Sequence, residues 1–409
     1  MKLHRTVTKK LNRYSGVTLI ELLVAVTISL ILMLGVGTIY FNSKRSYNVQ
    51  EEFARLQEGA RVAVDFMVKD IRMSGFMGCT KNTATMDYRS NLNLVATTPE
   101  AMASTRYVQG LTGFEAATSG PGNTVNLAAY TPPTPWDSPL PVYLTAEAPL
   151  LGSDIIIARF ATGDGIALVG PKTDLAVVID DQGSDVDISG TVPCHTPSNI
   201  CVGSTVLISN CVRSRLFQVT ALTDAGTTVL LTHGAGGPPA PGNAISNWGG
   251  PTSPPPFDED SFLPDDSQTY RAVSYAYYIA LNTNPTPQPA LFRKIMQPGA
   301  LPEELIEGVE NMQIVYGVDT DADNIANQYV TAANPALAIA TNRVVSARIS
   351  LLLRTNNEVA TKTSAAPVAK NFFLTGMTPA SSTQVSTVPD RRIRKVFTTT
   401  VKLRNIGIR

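Results

Sequence analysis

Gly16-Val17-Thr18-Leu19-Ile20-Glu21, followed by the uncharged run from Leu22 to Phe41, decides how this 409-residue chain is read. Those twenty apolar or neutral residues make a helix about 30 Å long, enough to cross the hydrocarbon core of a bilayer. The sixteen residues before Val17 carry Lys2, Arg5, Lys9, Lys10 and Arg13 and no acid. A basic flank ahead of an apolar span predicts an N-terminus held in the cytoplasm with the bulk of the chain outside. A buried core helix is the plainer alternative, and a secretory signal another. The signal would end in small residues at a cleavage site after the apolar run. Here the run continues without a break into an amphipathic pattern.

That pattern is regular. Val49, Phe53, Leu56, Ala60, Val64, Met67 and Ile71 fall at intervals of three and four, one stripe of a 3.6-residue helix. Glu51, Glu52, Arg55, Glu58, Arg61, Asp65, Lys69, Asp70 and Arg72 are assigned to the other faces. No proline occurs before Pro99, so one helix is expected from about residue 17 to about 75. Gly35 and Gly37 mark a soft point where it could bend.

Glu21 is the unusual residue. A carboxylate at the rim of an apolar span is costly unless something pairs with it. Lying at the headgroup boundary is one answer. The other is chemical: a cut after Gly16 would give Val17 a free amine four residues before Glu21, on the same helical face. In the first turn of the new helix, the macrodipole also favours the negative charge.

The stretch from Gly16 to Leu22, with its short basic leader, closely resembles the processing motif of type IV prepilins and type II secretion pseudopilins. The resemblance implies cleavage between Gly16 and Val17 by a prepilin peptidase and N-methylation of Val17. It also implies that Glu21 aligns the subunit with a neighbour's amino terminus. Val17 departs from the phenylalanine usual after the cut. Thr38 stands where many major pilins carry a kinking proline, as suits a minor subunit. Further segments resemble PilW-type minor pilins: Arg55 to Arg61, Asp70 to Phe76, Gly78-Cys79, Glu307 to Gln313, Arg348 to Arg354 and Val396 to Asn405.

The expected organisation is a leader over 1–16, a transmembrane or fibre-core half-helix over 17–41, an amphipathic half over 42–76, and a β-rich extracytoplasmic head over 77–409. The fold class is α+β, with the long helix packed on an antiparallel sheet and long Pro/Gly-rich loops. Strands are read at Ile155 to Ala158, Thr205 to Ile208, Tyr270 to Leu281, Ala290 to Ile295, Gln313 to Tyr316, Val344 to Leu353 and Arg394 to Leu403. Leu216 to Val219 and Thr228 to Leu231 read as a hairpin around Asp224-Ala225-Gly226. In the strand at 344–353, Val345, Ala347, Ile349 and Leu351 share one face, with Arg348 and Ser350 opposite. Proline-rich stretches at 131–141, 238–256 and 285–289 read as loops.

Composition excludes some functions. The 33 basic groups less the five of the leader leave 28 against 33 acids, a net of −5. Such a mature chain has no electrostatic footprint for nucleic acid. Four cysteines fit disulfides in an oxidising compartment better than a zinc site, whose ligands cluster more tightly than the six and nine residues separating Cys194, Cys201 and Cys211. An extended Val202 to Asn210 would hold Cys201 and Cys211 about 30 Å apart, far beyond bridging distance. The expected pairs are therefore Cys194–Cys201, closing a local turn, and Cys79–Cys211, tying the helix end to the sheet.

No catalytic constellation is visible. Outside the leader only His195 and His233 occur, and neither a nucleophile elbow nor a metalloprotease helix nor a phosphate loop is present. Asp258-Glu259-Asp260 reads as a solvated acidic loop. Calcium is the one cofactor suggested: Asp319, Asp321 and Asp323 alternate as in the opening of a calcium loop, with Asn327 at the ninth position. Val330 stands at the twelfth, where a glutamate is usual, and an acidic hairpin turn is the competing reading.

The expected role is binding and assembly rather than catalysis: a minor pilin of the type IV pilus, partnered by the prepilin peptidase, other minor pilins, the major pilin and the assembly machinery. It would sit in the inner membrane and, once assembled, in the pilus. A type II secretion pseudopilin and a membrane-tethered periplasmic adhesin or enzyme are the alternatives.

Overall fold

A computed structural model describes residues 16–78, 87–93, 107, 110–129, 135–170, 176–180, 186–187, 194–195, 198–236, 241–246, 262–264, 266–297, 300–338, 343–358, 366–376 and 379–405. The basic leader up to residue 15, Cys79, the acidic run 258–260 and, of the proline-rich stretch 238–256, all but residues 241–246 lie outside the described residues. The chain divides into two compact units, Met1–Phe53 and Ala54–Arg409.

Helix α1 (Leu19–Met73, 55 residues) is continuous. It passes through Gly35 and Gly37 without a break, because glycine removes side-chain support but keeps its backbone donor. An 18-residue window of α1 reaches mean hydropathy 2.6 and is wholly exposed. The helix ends where Gly75 turns left-handed at φ +79°. A side chain there would meet the Asn405 carbonyl oxygen at 2.5 Å, so glycine is required on both counts. Gly75 donates its N–H to Arg159 O at 2.9 Å and Arg404 donates to Arg72 O at 3.2 Å, which fastens the helix end to the head.

The largest sheet has eight strands centred on β13 (Gln268–Leu281). On one side β13 pairs with β14 (Pro289–Ile295), which continues to β15 (Glu303–Glu307). On that side it also pairs with β9 (Thr205–Ser209), followed by β10 (Arg213–Gln218) and β1 (Asp87–Ser90). On the other side lie β4 (Ile155–Ala167) and β2 (Leu111–Phe114). A four-stranded antiparallel sheet runs β17 (Gln328–Val330), β16 (Val309–Asp319), β18 (Arg343–Arg354), β21 (Arg394–Lys402). Among the described residues the head also has three small sheets: β11 (Ala221–Asp224), β12 (Thr228–Thr232) and β5 (Ala176–Asp180); β19 (Asn371–Leu374), β20 (Thr383–Ser386) and β3 (Thr124–Asn126); and β6 (Val186–Asp187), β7 (Cys194–His195) and β8 (Ile200–Cys201). A short helix, α2 (Val142–Thr145), precedes β4. This is the expected α+β, helix-on-sheet class.

Leu56, Ala60, Ala63, Met67 and Ile71 of α1 are buried in one cluster with Ile156 and Phe160 of β4, Val273 and Tyr277 of β13, Met312 and Ile314 of β16, and Ile349 and Leu351 of β18. Both large sheets thus share the helix stripe as their core. Burying a large apolar side chain contributes about 1.5–3 kcal/mol, so this row is the main attachment of the helix to the head.

Three expectations need correction. Asp70, assigned to the solvated faces of α1, is buried, because Tyr277 and Arg293 reach it from the sheet. The strand opposite β12 across Asp224-Ala225-Gly226 is Ala221–Asp224, not Leu216 to Val219. Leu216 and Phe217 pair instead with Leu207 and Val206, a contact that buries both fully. The strand at 344–353 is buried on both faces. Ala347, Ile349 and Leu351 face the helix, while Leu352 packs against Val125, Leu374 and Val385 of the β3–β19–β20 layer.

Candidate processing and assembly site

Gly16, Val17 and Thr18 precede α1 in non-helical backbone and are exposed. The Thr18 backbone N–H donates to Glu21 Oε2 at 2.9 Å, its hydroxyl donates to the same oxygen at 2.9 Å, and Glu21 N–H donates back to Thr18 Oγ1 at 3.4 Å. This reciprocal pair is a capping box, with Thr18 as N-cap and Glu21 at the third helical position. The Glu21 carboxylate therefore satisfies orphan donors at the helix start even before any amine is exposed at Val17. The sequence reading passed over Thr18; the Thr-x-x-Glu spacing ahead of an apolar run was the signal for it. Within the apolar span, Thr27 donates to Val24 O at 2.9 Å and Thr38 to Gly35 O at 2.8 Å. Both hydroxyls are thus satisfied inside the helix, as a bilayer requires.

The second candidate site is the turn between β16 and β17. One carboxylate oxygen each from Asp319, Asp321 and Asp323 can lie within 4.8 Å of the others. Asp319 accepts backbone N–H groups from Asp321 (3.1 Å), Ala322 (2.7 Å) and Asn324 (2.9 Å). Burial works against its charged form, but these donors outweigh it and hold the carboxyl below the usual range. Asn327 accepts from the Thr320 N–H at 2.7 Å and donates to Asp321 Oδ2 at 3.2 Å. Its exposed side chain braces the turn. Both readings of this segment meet here: it is a hairpin turn, and its three acids converge. Val330 at the twelfth position offers no carboxylate to add to the three.

Cys194 and Cys201 face each other across the β7–β8 pair and are joined by a disulfide. The second expected bridge has its Cys79 end outside the described residues.

A family described as Type IV Pilus-assembly protein W matches residues 276–405, from within β13 to just beyond β21. The prokaryotic N-terminal methylation motif matches residues 11–37, which contain Gly16, Val17, Thr18 and Glu21. Both matches are those of a PilW-type, type IV pilin-like protein. No curated protein and no solved structure matches it. The PilW match takes in the whole four-stranded sheet, whose β16 and β18 pack against α1, but not β4. Together with the apolar N-terminal helix, the two matches point to a membrane-anchored structural component of a pilus system.

Proposed function

We propose that this PilW-type chain is a minor pilin, cleaved between Gly16 and Val17 by the prepilin peptidase, N-methylated at Val17, and then incorporated into the type IV pilus or its priming complex. Before assembly residues 17–41 hold it in the inner membrane with the N-terminus cytoplasmic and the head periplasmic. Other minor pilins, the major pilin and the assembly machinery are its partners. The observation that carries this reading is the pairing of an exposed Gly16–Val17 bond with a capped helix whose first half is apolar on every face. Such a helix has no solvent but lipid or like helices. The match to a pilus-assembly family over 276–405 favours the pilus over a secretion pseudopilus.

Two measurements test it. The mature polypeptide is expected to begin at a methylated Val17, and deletion of the gene is expected to abolish or sharply reduce surface pili and twitching. A mature chain that begins at Met1 removes the processing step. Normal piliation in the deletion strain removes the assembly role.

A further inference from the structure

Two carboxyl groups are buried where the eight-stranded and four-stranded sheets meet. Glu115 follows β2 and Asp154 precedes β4; each is about 4% exposed or less. Asp154 accepts the Ala116 N–H at 2.9 Å and the Ile314 N–H of β16 at 2.8 Å, and its own N–H donates to Met312 O at 2.8 Å. It thereby caps the edge of β16 beyond the reach of β17, which pairs only with residues 316–318. Glu115 accepts from the Ala332 N–H, just after β17, at 3.4 Å. The Ser119 hydroxyl lies 3.3 Å from Glu115 Oε1 and 3.3 Å from Asp154 Oδ1. Its single proton has a nearer acceptor in Ala116 O at 2.7 Å, so it cannot serve both acids.

Among the described residues no cation balances the pair. Among the described residues neither acid has an ion-pair partner, and the charged or titratable groups that bear on them are acids too: Asp137 beside β2 and the hydroxyl of Tyr316 on β16. That hydroxyl is buried and has no hydrogen-bond partner. It occupies space left by Gly113, where an added Cβ would stand 2.1 Å from it. Two adjacent carboxylates without a countercharge cannot both stay ionised in a desolvated site. A metal ion is a poor neutraliser here, because backbone N–H groups already point their positive ends at both acids.

We propose that Glu115 and Asp154 hold one proton between them, with Glu115 the protonated partner, and that this pair is a pH-sensitive latch between the two sheets. The electrostatics agree. Burial and then repulsion from Asp154 push Glu115 up to about 9, and burial pushes Asp154 up to about 7 against its two backbone donors. Both carboxyls are raised above their unfolded values. Their stabilising contribution is therefore complete below about pH 4 and is lost progressively as the pH rises from there through the raised native values, roughly 7 to 9. The latch does not depend on the proposed role in the pilus.

The test is thermal unfolding of the full-length protein in detergent micelles from pH 5 to pH 9.5, with wild type beside Glu115→Gln. Glutamine copies the neutral acid. The wild-type head transition is expected to fall by roughly 5 °C or more as the pH rises. The variant should match wild type at pH 5 and lose most of that fall. Equal falls in the two proteins, or a variant less stable than wild type at pH 9.5, overturn the latch. Should the variant not fold, infrared spectra of wild type decide: a carboxylic-acid C=O band persisting at pH 7.5 supports the shared proton, and its absence refutes it. Stabilisation by millimolar calcium at pH 9 in wild type but not in Glu115→Gln would assign a cation to the pair and overturn the proton.

Discussion

Tyr277 of β13 donates its hydroxyl to the Asp70 carboxylate of α1 at 2.5 Å, while Arg293 of β14 reaches the same Oδ2 at 3.3 Å. A charge on the buried side of the helix is thus tied to two neighbouring strands. Arg293 also pairs with Glu303 at 2.8 Å and lies 4.8 Å from the centre of the Tyr275 ring, so it is itself fixed in place.

The Asp70 contact should be measurable as stability of the head. Tyr277→Phe leaves Asp70 paired with Arg293 and is expected to cost about 1–2 kcal/mol. Asp70→Ala removes both contacts and should cost about 2–4 kcal/mol, with Arg293 retained by Glu303. Urea unfolding followed by far-UV circular dichroism reads both. A neutral Asp70→Ala would show that the apolar stripe alone docks the helix.

A second buried network closes the far side of the four-stranded sheet. Arg394 donates to Glu310 through Nε (2.6 Å) and Nη2 (2.9 Å), Arg354 donates to Glu310 Oε1 at 3.0 Å, and Asp390 accepts from Arg394 at 2.8 Å. Glu310→Ala leaves Arg354 without a carboxylate partner and Arg394 with Asp390 alone, and is expected to cost about 3–5 kcal/mol. Burial opposes the charge on Asp390, but hydrogen bonds from Arg394 prevail and hold its pKa at about 2. For a depressed carboxyl the stabilisation is present above the unfolded pKa and disappears as the pH falls from about 4 through 2. Asp390→Asn should therefore flatten the acid limb of the stability curve.

The capping box predicts a local effect at the N-terminus. Thr18→Ala removes the N-cap oxygen and should weaken the start of α1 by about 1 kcal/mol, whereas Thr18→Ser should not. Amide exchange of residues 18–22 in micelles distinguishes the two. Equal exchange in both variants would mean the cap contributes nothing.

The cysteines give a covalent check. Non-reducing peptide mapping is expected to return Cys194–Cys201 and Cys79–Cys211. Gly78, the residue before Cys79, packs against Ser209, two residues before Cys211, with an ideal Cβ 3.0 Å from the Ser209 side chain. A Cys79–Cys194 crosslink would refute the second pairing. Losing the long-range bridge should cost about 2–5 kcal/mol.

At the β16–β17 turn, the brace made by Asn327 predicts weak calcium binding. Calorimetry on chelator-washed protein should detect binding only in the millimolar range, abolished by Asp321→Asn with Asp323→Asn. Absence of heat at several millimolar calcium ends the calcium assignment and leaves the turn as a hairpin closure.

The helix, its apolar half and the isolated Glu21 were legible in the one-dimensional pattern. Helical periodicity and the exclusion of charge from a lipid-length run depend on near neighbours alone. Thr18 was legible too, through the Thr-x-x-Glu spacing, since a capping box is built within four residues. The alternation at Val345, Ala347, Ile349 and Leu351 identified one buried face of β18 but not the layer covering Leu352, whose partners lie over twenty residues further on or more than two hundred before. Asp70 looked solvated because a sequence prices a charge at its cost in isolation; Tyr277 and Arg293, more than two hundred residues away, remove that cost. Glu115 and Asp154 likewise carry no local mark. Their burial, their proximity and the Tyr316 hydroxyl seated over Gly113 arise only when β2, β4 and β16 converge, because desolvation belongs to the packed fold and not to any segment of the chain.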